Sequence, residues 1–335
     1  MATVITGSSP VSRTPTYASK GSSTVSFGGG YLFFSDCPEA VATSDLADNG
    51  RWLNQATVNG SGLAYLWHTN STGSTIHSCL AIYNPNNFPI TVTSANHGTT
   101  NASAVGDVNA WASYFITSST SIVISALGWG IMFAQTVPSG YNFGVIAGTN
   151  VTNSSGASAS AIFYDLAYLT NSSGATAFAT ATGEMKRGHG AHFYNTLSFA
   201  QISPMNSDGI GYKIAASGDV FSGSDLVYIT DDSGQTSGPL EGSYGQQLVV
   251  TLPIYNSFSV AKIFNIYIGS TGGYSFPIVS LNGFTAKYNG WAPAYQYVDM
   301  ISTGSVASGS TATVTFFTCV PAESSTPYVI GARVV

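Results

Sequence analysis

Charge is what this chain has least of. Of its 335 residues only 7% are Asp, Glu, Lys or Arg, against roughly a quarter in an ordinary globular protein. Nine Lys and Arg face fifteen Asp and Glu, for a net charge of −6, and no basic run occurs. Nucleic-acid binding, which needs clustered cations to displace counterions, is excluded as a leading function. Cysteine is scarce too: Cys37, Cys79 and Cys319 are far apart and form no CxxC pair, which excludes a zinc ribbon. One disulfide and one free thiol is a pairing that this count allows. No segment reaches the ~20 apolar residues of a membrane span, so no membrane insertion is expected. The opening "ATVITGSSPVSRTPTYASKGSS" has no apolar core of signal-peptide length. Helical periodicity is nearly absent as well.

What is present is an ordinary 44% of hydrophobic residues. The low charge is therefore not the signature of disorder, which combines few apolar residues with high charge. Water must be met by Ser, Thr, Asn and Gly. Such a surface is easily buried against a copy of itself, because few ions lose hydration on contact.

Alternating stretches dominate. Examples are "GLAYLWHT" 62–69, "IHSCLAIY" 76–83, "SIVISALG" 121–128, "QQLVVTLPIY" 246–255 and "TATVTFFTCV" 311–320, with Gly, Asn, Ser and Pro clusters between them. The expectation is an all-β chain: two tandem antiparallel β-sandwich domains, jelly-roll or immunoglobulin-like, over 30–155 and 185–335. A connecting strand region spans 156–184, and 1–29 reads as an extended arm that another surface must order. An internal repeat supports the tandem plan. "LAIYNPNNFPITVT" and "LPIYNSFSVAKIFNIYIG" share strand, Asn turn and strand. Each precedes a Trp-Ala element, "WASY" at 111–114 and "WAPAY" at 291–295.

"YLFFSDCPE", "GLAYLWHTNSTG" and "LAIYNPNNFPITVT", with "KRGHGAHFYNTLSF" midway and "YGQQLVVTLPIYN" through "YVIGARVV" at the end, resemble a group of secreted cell-surface β proteins of Gram-positive bacteria. That group has no assigned function. Its members are often labelled through an attached copper amine oxidase N-terminal-like module, which is absent here. No Asn-Tyr pair of an amine oxidase cofactor site occurs either. The resemblance implies an extracellular protein of the cell envelope and no chemistry.

The one gathering of charge is "GEMKRGHGAHFYN", 183–195. On a strand, the three-residue spacing of His189 and His192 sends the two imidazoles to opposite faces, and Gly188 and Gly190 disfavour the helix that would unite them. The segment therefore reads as a structural loop, with Arg187, His189 and His192 as candidate contacts for a partner or glycan. No metal, cofactor or catalytic residue is assigned. His68, His77 and His97 lie in or beside strands and read as hydrogen-bonded structural histidines. A Ser-His-Asp arrangement is conceivable in so Ser-rich a chain, but no Gly-x-Ser-x-Gly elbow is present. Asp231 and Asp232 fit a turn, since they lack the ligand spacing of a calcium loop. Lys262 shares an alternating face with apolar neighbours, so it needs a partner, an isopeptide link, or a route to water near the strand start. Six Asn-x-Ser/Thr triplets occur, at Asn59, Asn70, Asn101, Asn150, Asn153 and Asn171. Most of the Trp and Tyr fill cores, while Trp291 and Tyr295 in "NGWAPAYQY" are candidate contact residues.

These features point first to a non-catalytic, self-assembling structural subunit of a filament, sheath or surface layer, with copies of itself as partners. In that picture the arm docks on a neighbour as a donor strand. A carbohydrate-binding or adhesive module comes second, and a viral capsid or tail component third.

Overall fold

The computed structural model describes all residues except 104–105, 117–118, 170–182, 185–188, 191–193, 217, 222–227, 231–235 and 241. The chain is nearly all β, with one α-helix among the described residues, Asp107–Tyr114. The alternating segments become strands close to where the pattern places them: Ser61–Asn70, Ile76–Tyr83, Gln247–Tyr255 and Thr311–Thr318. Gln247–Tyr255 buries every second residue without a break, as expected of a strand with one face on a core and one in water.

The residues gather into two compact units. The central unit comprises 29–193 and 228–238. One of its sheets runs, in spatial order, Trp129–Val137, Ile76–Tyr83, Ser160–Tyr168 and Asn54–Asn59. A larger sheet begins Thr120–Ile124, Ile90–Ala102, Asn142–Asn153, Ser61–Asn70 and Tyr31–Ser35. Its core mixes side chains of both sheets, among them Leu80, Ile82 and Phe163 from the first and Val92, Val145 and Leu66 from the second. The strand Ser160–Tyr168, expected within a connecting region, instead lies inside a sheet, paired on both edges. The strand that the sequence places there finds backbone hydrogen-bond partners on both edges, in Ile76–Tyr83 and Asn54–Asn59. The helix escaped the sequence reading because two turns are too short for a periodic signal. It buries Val108, Trp111 and Tyr114 on one face.

The C-terminal unit comprises 1–28, 194–227 and 239–335. One sheet contains Gln296–Val306, Lys262–Ser270, Tyr328–Val334 and Ile210–Ile214 in that order, and the other contains Thr311–Thr318 and Gln247–Tyr255. Its core again draws on both sheets, through Phe264, Ile268 and Ile330 and through Val250, Leu252 and Phe316.

The first 28 residues are not a free arm: they dock on their own chain. Thr3–Val4 and Val11–Ser12 pair antiparallel with Gln296–Val306, Thr16–Tyr17 runs parallel to Ile210–Ile214, and Thr24–Gly28 pairs with Tyr194–Ser198. A buried ion cluster fastens this segment. Arg13 Nη2 meets Asp299 Oδ1 at 3.3 Å, and Arg333 donates Nε to Asp299 Oδ2 at 3.0 Å. Burial pulls the Arg13 guanidinium below its usual value, with the Asp299 carboxylate working against that.

The internal repeat is visible in one recurring device. Asn84 and Asn256, each the Asn of an Ile-Tyr-Asn run, are fully buried at a strand end. Asn84 donates Nδ2 to the carbonyls of Phe88 (2.8 Å) and Ile124 (3.2 Å), and its Oδ1 accepts from the Asn86 amide at 2.9 Å. Asn256 donates to Val260 (2.9 Å) and Val306 (2.8 Å) and accepts from Phe258 at 3.0 Å. The local offsets along the chain match. Ile124 in one unit therefore corresponds to Val306 in the other.

Candidate functional site

The candidate residues fare differently. His189 sits on a two-residue strand, His189–Gly190, paired with Phe33 on one side and Thr230 on the other. Arg187 and His192, like Asp231 and Asp232, lie outside the described residues. Of the triplet asparagines, Asn70 is buried and its amide is engaged by the carbonyls of Ser74 and Val137, which gives it a structural task. Asn171 is outside the described residues. Lys262 does not face the core unaided: it begins its strand half-buried, with Nζ 5.0 Å from the centre of the Phe258 ring. Cys79 and Cys319 are buried and Cys37 is half-buried.

Trp291 and Tyr295 are surface aromatics, 53% and 57% exposed. The structure adds a partner that the sequence did not mark. Tyr274, 55% exposed, sets its ring 5.7 Å from that of Trp291 at 68°. The pair is positioned by a single antiparallel bridge, in which Ser275 and Ala292 exchange backbone hydrogen bonds of 2.9 and 2.8 Å. Tyr274 follows "TGG" in the sequence, a turn that lifts it out of the sheet, and that was the signal available. Tyr295 holds a left-handed backbone, φ +61°, unusual for a large side chain. Its amide bonds the Ser270 carbonyl, and its own carbonyl accepts from the Arg13 amide. Trp111 of the other Trp-Ala element is fully buried, so the two elements have opposite roles.

The other concentration of polar side chains is internal. His68 and Asp165 are completely buried and meet at 2.7 Å through Nε2. Nδ1 of His68 lies 2.7 Å from the Pro38 carbonyl. Both ring nitrogens face oxygen atoms of acceptor groups, an arrangement that favours the doubly protonated imidazolium. Burial is the largest influence on His68 and drives its pKa down. The Asp165 charge, the bond to it and the Pro38 carbonyl together overcome burial and hold the pKa above the usual value. Ser35 Oγ is also near, at 3.4 Å, but from the same Nε2 that Asp165 occupies. A relay needs nucleophile and acid on opposite nitrogens, so these three residues are wired as a structural ion pair. Sequence could not reveal it, because the partners are 97 residues apart. No group of three or more potential metal ligands forms among the described residues.

The remaining feature concerns the whole surface of one region. From Trp52 to Gly183 the sequence contains only two charged residues, Asp107 and Asp165, and both are buried. Everything this long stretch presents to water is hydroxyl, amide, imidazole, backbone or hydrocarbon. The sheet edges share this poverty. In the four larger sheets, the terminal strands Thr120–Ile124, Asn54–Asn59, Trp129–Val137 and Thr24–Gly28 contain no charged residue, and Phe284–Lys287 contains one.

A scan against protein-family models finds no match, and a search of curated proteins finds none. Among solved structures, the laccase from Botrytis aclada aligns at 14% identity over 72% of this chain and 46% of its own, with a TM-score of 0.12. A multicopper oxidase from Campylobacter jejuni aligns at 9% identity over 76% of this chain and 50% of its own, also at 0.12. The chain spans about half the length of these proteins, and likeness at this level carries no argument about fold or chemistry.

Proposed function

We propose that this protein is a non-catalytic structural subunit: two β-sandwich units, with mixed rather than purely antiparallel sheets, that assemble with copies of themselves into a filament, sheath or surface layer outside the cell. The observation that carries this reading is the region 52–183, whose only charges are buried. Soluble proteins keep apart through net charge and guard open strand edges with Lys, Pro or bulges. Here the first defence is missing over a large area and the second is almost missing from the edges. Contact with a like surface then strips no ions of water. The resemblance to secreted Gram-positive surface proteins supports an assembly at the envelope. In this reading the segment 1–28, docked on its own chain in the monomer, is a strand that can exchange onto the same site of a neighbour.

Sedimentation velocity and negative-stain microscopy of the purified protein over a wide concentration range test the proposal. Ordered polymers or discrete oligomers are expected. A monomer at every concentration would refute it.

The exposed Tyr274–Trp291 pair favours a second reading, a carbohydrate-binding or adhesive module, since open aromatic faces stack on sugar rings. In a glycan-array screen, binding that Trp291→Ala or Tyr295→Ala abolishes, shown by a protein that stays monomeric, would favour this reading over assembly.

A further inference from the structure

We infer that the open edge of the strand Thr120–Ile124 is a self-pairing interface, and that its partner is the same strand of a second copy, antiparallel across a twofold axis. This rests on the assembly reading and names the contact.

The strand ends its sheet. One edge is paired with Ile90–Ser94, from Ile124↔Ile90 to Thr120↔Ser94, and no described strand takes the other. Its sequence, "TSIVI", is three-fifths β-branched aliphatic and has no charge and no proline, the composition that pairs readily when left open. Alternation sends Ile122 and Ile124 towards the core and leaves Val123 73% exposed. Among the described residues that is the most exposed large apolar side chain after Met1.

The other unit indicates what such an edge normally has. Because the buried asparagines place Ile124 in correspondence with Val306, Thr120–Ile124 corresponds to residues 301–306 of the strand Gln296–Val306, which carry one extra residue at a bulge. That edge is covered: Thr3 pairs with Ser302, and the Met1 backbone lies against Gly304. The edge at Thr120–Ile124 is the bare counterpart of a covered one.

Two strands from a second copy could cover it. An N-terminal segment would first have to leave its own site, stripping one edge to cover another and forfeiting the Arg13–Asp299 pair. Self-pairing displaces nothing. It is also self-complementary: centred on Ile122, an antiparallel match sets Ser121 opposite Val123 of the second copy, twice, so each exposed valine meets a neutral hydroxyl residue. No like charges oppose one another, because the region has none at its surface. A twofold contact is closed, so this edge alone gives a dimer, and a longer assembly needs a second contact elsewhere.

The test uses the full chain and three variants, Val123→Lys, Ser121→Glu, and both together, followed by sedimentation equilibrium. Val123 is exposed, so circular dichroism and thermal unfolding should match the wild type in all three. Each single variant should raise the dimer dissociation constant at least roughly tenfold, since an edge lysine or glutamate opposes pairing. The double variant should recover association, because the register sets each introduced lysine against an introduced glutamate of the other copy. Wild-type association that the single variants leave unchanged would overturn this edge while sparing self-assembly. A wild type that never leaves the monomer would overturn both. Loss in the single variants without recovery in the double variant would overturn the proposed register.

Discussion

Replacing Asp299 should loosen the first seventeen residues from the C-terminal unit before anything else changes. The Asp299 carboxylate accepts from Arg13 Nη2, from Arg333 Nε at 3.1 and 3.0 Å, and from Asn265 Nδ2 at 3.2 Å. Asp299→Asn keeps the volume but leaves two guanidinium groups sharing a site without a counter-charge. Breaking one partner out of a buried ion pair costs about 3–5 kcal/mol. Arg333 is more exposed than Arg13 and can turn partly to water, so the lower end, about 3 kcal/mol, is expected. Part of that cost is avoided if Arg13 leaves altogether, and leaving means unpeeling the strands Thr3–Val4 and Val11–Ser12. Urea unfolding should therefore show the loss, and trypsin under native conditions should cut after Arg13 in the variant well before it does in the parent. Because the pair is buried, raising ionic strength to about 1 M should leave the deficit in place. A change below about 1 kcal/mol, or one that disappears in salt, would refute the assignment of this cluster as the fastening of the segment.

Two further outcomes follow from buried groups. Asn84→Ala removes five hydrogen bonds and Asn256→Ala three, each orphaning buried carbonyls, so each should cost about 3–4 kcal/mol. Similar losses in two different units, read by urea unfolding, would match their equivalent roles. His68 gives a pH dependence whose sign is set by its raised pKa. Its contribution to stability is complete below the unfolded value of 6.5 and is lost as pH rises through the higher folded value. Thermal unfolding from pH 5.5 to 9 (a range of about 3.5 units) should show declining stability that His68→Gln flattens; a wild-type profile that rises across this range would contradict the imidazolium–carboxylate pair.

Gln247–Tyr255 was legible because one face is buried, a period of two that no local exception disturbs. Ile76–Tyr83 is instead buried without a break from Ser78 to Ile82, as a strand covered on both faces is. The helix Asp107–Tyr114 was not legible, because its buried residues Val108, Trp111 and Tyr114 give only two turns of evidence. Neither was the docking of 1–28. Its strands Thr3–Val4, Val11–Ser12 and Thr16–Tyr17 are two residues long, too short for any periodicity, and they are held by an acid 286 residues away from Arg13. The exposed pair had the same fate in part. Trp291 stood out by residue type, but its contact with Tyr274 depends on one backbone bridge between loops. Local pattern reports which face of a strand is buried, while the choice of partner is a property of the folded chain.

The location of the few charges turns low charge from a compositional fact into an arrangement. Asp299 binds two arginines, Asp165 binds His68, and Asp107 accepts a bond from the Tyr65 hydroxyl in the interior. These acids hold together strands remote in sequence, where a charge is costly to bury and therefore needs partners. If charge were scarce only through drift, the remaining ions would be expected on the surface, where they are cheapest to keep. Within 52–183 both ions, Asp107 and Asp165, are inside and the outside has none, whereas Lys20, Glu39, Asp48 and Arg51, beyond that region, are exposed. In this region ionic groups are thus kept where they bind strands remote in sequence and are missing from the surface. That distribution is what a surface meant to meet its own copy requires, and it places the weight of the assembly reading on position rather than on percentage.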